Sequence, residues 1–193
     1  MAVVLAQGAR VALGKDGEEL GRVHMGLGWD PVKHTTLRPG LQALTGVDLD
    51  AACLLFDADH HMVDSVWARQ LKSKDGAVSH SGDNVTGQGD GDDETVTVDL
   101  AALPSRVTAL VFTASSFSGA DFSKISAAYC RLIEDATGAE LARYELTPTG
   151  THNAKIFAKI VRDGEGGWTM TAIGAPAVAH TIDALVPAIL PHL

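Results

Sequence analysis

The sequence predicts a mainly β protein: a β-sandwich of two antiparallel sheets with a C-terminal helix, in a single domain over residues 1–193. Three observations carry this. Short runs alternate with a period of two, most clearly where Val96, Val98 and Leu100 oppose Thr95, Thr97 and Asp99. Turn signals separate the runs, among them Asp75-Gly76 and Asp163-Gly164-Glu165-Gly166-Gly167. Near the end the period changes: Val178, Ile182, Leu185, Val186, Ile189 and Leu190 fall on one helical face. A chain of 193 residues can bury one sizeable core, and many short strands do so most simply as two packed sheets.

Taken in order, residues 9–13 alternate weakly and read as a strand, with a turn at 15–19. Residues 20–29 form a longer strand with Val23, Met25 and Leu27 on one face, stopping at Pro31, which has no N–H for a ladder. Residues 31–46 are polar and irregular and read as a loop. The run from Ala51 to Phe56 is almost wholly apolar, as in a strand covered on both faces. Residues 62–71 read as a strand holding Trp67, followed by the Asp75-Gly76 turn. Residues 107–113 are apolar and β-branched, and 115–123 are Ser- and Gly-rich loop. Residues 124–134 suit either helix or strand: Tyr129, Arg131 and Ile133 alternate, but alanine favours a helix. Residues 140–146, 155–162 and 168–173 complete the strands. The C-terminal stripe is a core-packing face; a membrane or partner helix would want a basic polar face, which this one lacks.

The formal net charge of −9 argues against nucleic acid as a partner and against adsorption to an anionic membrane. No uncharged apolar stretch has transmembrane length, and residues 1–6 lack the basic start of a signal peptide, so a cytoplasmic location is expected. Cys53 and Cys130 lie in apolar runs and match no zinc or redox spacing; buried free thiols are expected.

The chemistry concentrates in residues 80–94. From Asp83 to Glu94 the chain holds five acids, three glycines and no base. Clustered carboxylates repel, while glycine suits sharp turns and close backbone approach. A hard cation resolves the conflict, because calcium takes oxygens from carboxylates, amides and main-chain carbonyls; a solvated acidic linker is the plain alternative. The EF-hand pattern fails, since Val85 and Gly87 stand where oxygen side chains belong and Gln88 where the turn glycine belongs. Asp48 and Asp50, two apart, share a face at the start of the buried run; they are either an acidic strand start facing water or carboxylates that need pairing or coordination. His60 and His61, adjacent on a turn, make a poor transition-metal pair.

Gly26-Leu27-Gly28-Trp29-Asp30, then residues 47–51, then the whole of 80–94 resemble the TerD family of tellurium-resistance and stress proteins. Weaker matches are Leu71-Lys72-Ser73 with Asp75-Gly76, Ala142-Arg143-Tyr144, and Trp168 with Ala172-Ile173-Gly174. The resemblance covers essentially the whole chain. It implies a β-sandwich with a calcium site made by loops at one end, no catalysis, a role in resistance to tellurite and other stresses, and strand rather than helix at 124–134. Carried over, it implies Asp30, Asp48, Asp50, Asp83, Asp90, Asp92, Asp93 and Glu94 as carboxylate ligands. Asn84 would add an amide oxygen, and Val85, Gly87, Gly89 or Gly91 carbonyls. One or two Ca²⁺ ions would order the loops into an interaction surface for protein partners, other stress-resistance proteins being the class to test. The chain departs from the family in a longer, more basic segment between Asp30 and Asp48, with Lys33, His34 and Arg38, and in a shorter, less acidic 115–123.

Two rival functions remain. An enzyme using Mg²⁺ or Mn²⁺ on a phosphorylated substrate would need a nucleophile, phosphate loop or basic clamp near the acids; no P-loop, G-x-S-x-G or H-E-x-x-H occurs. Direct capture of a tellurium oxyanion would set an anion against acidic loops and two buried thiols.

Overall fold

A computed structural model describes residues 3–4, 6–13, 21–31, 48–85, 91–117, 121–146, 150–164 and 166–193. The strands are β1 (Val3–Val4), β2 (Arg10–Leu13), β3 (Arg22–Pro31), β4 (Asp50–Phe56), β5 (Met62–Val66), β6 (Val78–His80), β7 (Glu94–Asp99), β8 (Ala109–Ser115), β9 (Ile125–Glu134), β10 (Glu140–Leu146), β11 (Ala154–Arg162) and β12 (Trp168–Ala177), followed by helix α1 (Ile182–Ile189). They make two six-stranded sheets: sheet A in the order β1-β10-β9-β3-β7-β6, and sheet B in the order β2-β12-β11-β8-β4-β5. All pairings are antiparallel except the short β1–β10 pair. The sandwich is as the alternation predicts.

The core lies between the sheets, and a second apolar layer lies outside sheet B. Strand β4 explains why its run is apolar throughout. Ala51, Cys53 and Leu55 point into the inter-sheet core, while Ala52, Leu54 and Phe56 point outward under α1. The helix covers them with Ile182, Leu185 and Ile189, and Thr181 caps it by accepting the Ala184 N–H at 3.2 Å. The buried stripe is narrower than the periodicity suggests: Val178 precedes the helix and is 70% exposed, and Leu190 follows it at 42%. Both cysteines are buried and free.

Several boundaries differ from expectation. The strand after Met62 ends at Val66, because Trp67 and Gln70 exchange backbone hydrogen bonds in a tight turn and Asp64 accepts the Lys74 N–H (2.7 Å) and the Gln70 amide (2.9 Å). The 124–134 segment, open to helix or strand on its residues alone, is strand β9, as the resemblance implies; it lies between β3 and β10 after a 3₁₀ turn at Phe122–Lys124. Strand β3 runs on to Pro31, where its ladder ends. Of the 31–46 segment read as a loop, residues 32–46 lie outside the described residues. Among the described residues no helix is long and apolar enough to cross a membrane.

Candidate metal centre

Four strand ends meet at one tip of the sandwich: the end of β3, the start of β4, the end of β6 and the start of β7. The antiparallel pairing of β7 with both β3 and β6 brings the three sheet-A ends together. The start of β4 belongs to sheet B, so its acids reach the tip only through contacts across the core.

Glu94 makes that crossing. Its side chain is fully buried; Oε2 accepts the Ala51 N–H at 2.7 Å and Oε1 the Asn84 N–H at 3.0 Å. His80 completes the brace. The Gly82 N–H donates to Nδ1 at 3.0 Å, which leaves the ring proton on Nε2, facing Ala51 O at 3.1 Å and Glu94 Oε2 at 3.3 Å. Asp93 is similarly engaged: Oδ2 accepts the Trp29 N–H at 2.9 Å and Oδ1 the Asn84 amide at 3.1 Å. Burial, with the charges of Asp30, Glu94 and Asp92, pushes the Asp93 carboxyl up despite that backbone donor. Asp92 points to the outer face of sheet A, where Arg131 grips both its oxygens at 2.8 and 3.1 Å. Asp30 is exposed beside Asp93.

Asp48, Asp50 and Asp83 have no such partners. They line one open pocket of about 280 Å³ with Trp67, Ala68, Arg69 and Phe117. Asp48 Oδ1 is buried with no hydrogen-bond donor. Burial pushes the Asp48 carboxyl up, and Asp83 and Glu94 push it further. Asp50 is pushed up to about 7 by burial and by Asp48, Glu94 and Asp83, with His80 acting the other way. These acids therefore share one electrostatic field although about thirty residues separate Asp50 from Asp83.

Of the remaining expected ligands, Val85 is exposed and Gly91 sits at φ 98°, while Gly87, Gly89 and Asp90 lie outside the described residues. Sequence reasoning missed His80 and Arg131 as partners of the acids, and Trp67, Arg69 and Phe117 as pocket walls. The alternation of Tyr129 with Arg131 was the available signal for a polar stripe on β9.

A second acidic group lies at the other end of β4. Asp57, Asp59 and His61 place one ligand atom each within 4.8 Å of the others. Asp57 Oδ1 accepts the Asp59 and His61 N–H groups at 3.0 and 2.9 Å, and the His61 donor leads in holding its carboxyl down. That turn accounts for the cluster without an ion.

The TerD domain profile matches residues 1–188. The chain is 45% identical over 182 residues to tellurium resistance protein TerZ of Serratia marcescens, covering 94% of this chain and 93% of that protein. It is 34% identical over 182 residues to general stress protein 16U of Bacillus subtilis (strain 168), covering 91% of each. The fold superposes with a TM-score of 0.70 on a homologue of telluride resistance protein (TerD) from Streptomyces coelicolor A3(2), at 22% identity over 86% of this chain and 95% of that one. The chain therefore belongs to the TerD domain family.

Proposed function

We propose that this protein is a calcium-binding, non-catalytic stress protein of the tellurite-resistance type, cytoplasmic, whose acidic tip holds one or two Ca²⁺ ions and orders a surface for protein partners. The observation that carries the reading is the orphaned Asp48 Oδ1, buried without a donor among Asp50, Asp83 and Glu94. A buried carboxylate oxygen needs a proton, a donor or a cation. The donor set around it is all hard oxygen, which suits calcium rather than a soft metal. Asp48, Asp50 and Asp83 would hold the ion, with Asp90, Gly87 and Gly89 as further candidates. Glu94, Asp93 and Asp92 would act through the backbone and side chains they already hold. When bound, the ion supplies positive charge and nothing else is asked of it. The chain's own residues set three carboxylates in one pocket and keep the strand ends together. The names of its relatives, tellurium resistance protein and general stress protein, support the biological half of the reading.

The test is a calcium titration of metal-stripped protein by calorimetry, with thermal melts in calcium and in EDTA. Wild type takes up calcium and melts at a higher temperature with it, the folded state gaining about 2.7 kcal/mol at a hundredfold excess over Kd. Asp48→Asn and Asp83→Asn lose most of that uptake, and Asp57→Asn at the far turn keeps it. No uptake by wild type overturns the reading. Loss in Asp57→Asn alone moves the site to the other end.

A further inference from the structure

The outer face of sheet A holds an arrangement that the proposed ligands do not themselves require. Gly26 and Gly28 lie two apart in β3, so both leave bare backbone on the same face. Glycine inside a strand weakens it unless something approaches closely. Here two side chains do. A Cβ at Gly26 would overlap the Asp92 carboxylate, and one at Gly28 would sit 2.5 Å from Tyr129 Cζ.

Asp92 is held in that trough by strong contacts. Arg131, the cross-strand neighbour of Gly26, makes a bidentate pair with it at 2.8 and 3.1 Å. Tyr129, the neighbour of Gly28, donates its hydroxyl to Asp92 Oδ1 at 3.1 Å. Burial first, then the Asp92 charge, pushes the phenol up to about 12, so it remains a donor. Arg143 lies over the Tyr129 ring at 4.3 Å, and Glu140 links Arg143 (2.8 Å) to Arg131 (3.2 Å). Asp92 is thus the end of an alternating charge chain laid across β9 and β10.

The next two residues connect this chain to the tip. The Asp93 N–H donates to Leu27 O at 2.8 Å, and Glu94 carries the brace to Asn84 and Ala51. We infer that Asp92, Arg131, Tyr129 and the Gly26/Gly28 trough form a latch that fixes the 91–94 stem on sheet A, making them positioning residues for calcium binding rather than ligands. This inference rests on the calcium reading proposed above. Without the latch, binding must also order the stem, and that cost lowers affinity.

The sign of one substitution separates the two roles. If Asp92 is a ligand, removing the Arg131 cation frees its carboxylate and deletes a repelling charge, so calcium binds more tightly. If Asp92 is a latch, Arg131→Gln weakens calcium binding by about 10- to 100-fold, the usual cost of losing an outer support. Gly26→Ala weakens it in the same direction by evicting Asp92. Asp92→Asn combined with Arg131→Gln is no worse than the stronger single change, because both break one contact. Arg131→Lys, which keeps the charge but not the fork, recovers part of the affinity. Tighter or unchanged binding in Arg131→Gln, or additive losses in the double variant, overturns the latch. Melts in EDTA identify any variant that fails to fold. If wild type takes up no calcium, the calcium reading fails separately and amide exchange decides the latch. The Asp93 amide then exchanges at least about tenfold faster in Arg131→Gln while core amides do not; equal rates overturn it.

Discussion

The acids of the tip differ less in charge than in what lies opposite each oxygen. Glu94 has a backbone N–H on each oxygen and is fully buried, Asp92 has a guanidinium, and Asp48 has a buried oxygen with nothing. This sets their substitution costs apart. Glu94→Gln turns one acceptor into an amide that faces a backbone N–H, leaving a buried donor unpaired. It should cost about 1–3 kcal/mol in metal-free protein, measured by urea unfolding in EDTA. Asp48→Asn, which removes an unsatisfied charge, should leave metal-free stability equal or higher. Equal losses for both would mean that the orphaned oxygen has a donor after all. The acids were legible as a set because carboxylates and glycines crowd residues 83–94. Their separate jobs were not, because each depends on a partner from distant sequence: Ala51 for Glu94, Arg131 for Asp92.

Strand β4 shows where periodicity informs and where it stops. Its apolar run rightly implied cover on both faces, but sequence could not say that one cover is a sheet and the other a helix. Strand β9 was ambiguous on its residues because alanine-rich runs fit a helix locally; the resemblance implied strand, and its place between β3 and β10 supplies the physical reason. The trough at Gly26 and Gly28 was visible as a motif but not as a space, since the side chains that fill it come from β9 and from residue 92. The helical stripe was overread at both ends, where Val178 and Leu190 match the period but are exposed. The helix's own buried residues are then Ile182, Leu185 and Ile189. Leu185→Ala, at full burial against sheet B, should destabilise by about 2–5 kcal/mol in denaturant unfolding. Val178→Ala should change stability by no more than about 0.5 kcal/mol. Similar costs at the two positions would show that the helix seats differently. Thr181→Ala should cost about 1 kcal/mol through the lost cap.

At the scale of the whole molecule, Glu94 ties the two sheets at a tip where Asp48, Asp50 and Asp83 lie in one another's field, so pH and the proposed ion should act on the same contact. Asp48, Asp50 and Asp93 carry carboxyls pushed up in the folded state, Asp50 to about 7. For an acid raised above its unfolded value, the folded form holds a proton that the unfolded form has lost. Metal-free stability from these groups is then greatest below about pH 4 and falls as pH rises toward 7. Asp57, Asp64, Asp121 and Glu140 are held down, so they act oppositely, at the low edge of this window and below it. His152, lowered by burial and Lys155, does oppose within it, since its contribution fades as pH falls through about 6.5. It is not among the proposed ligands, so its effect cancels between calcium-loaded and EDTA-treated samples at one pH. The difference in melting temperature between those samples should therefore be small at pH 5, where the ion must displace protons. It should grow steadily to pH 8, where the carboxylates are ionised and repel. Asp50→Asn should flatten that rise by removing the group with the highest value, while Asp57→Asn should leave its slope intact. A calcium-dependent shift equal at pH 5 and pH 8 would mean that the raised acids and the ion do not share a site. The frustration at the tip would then be relieved by protons alone.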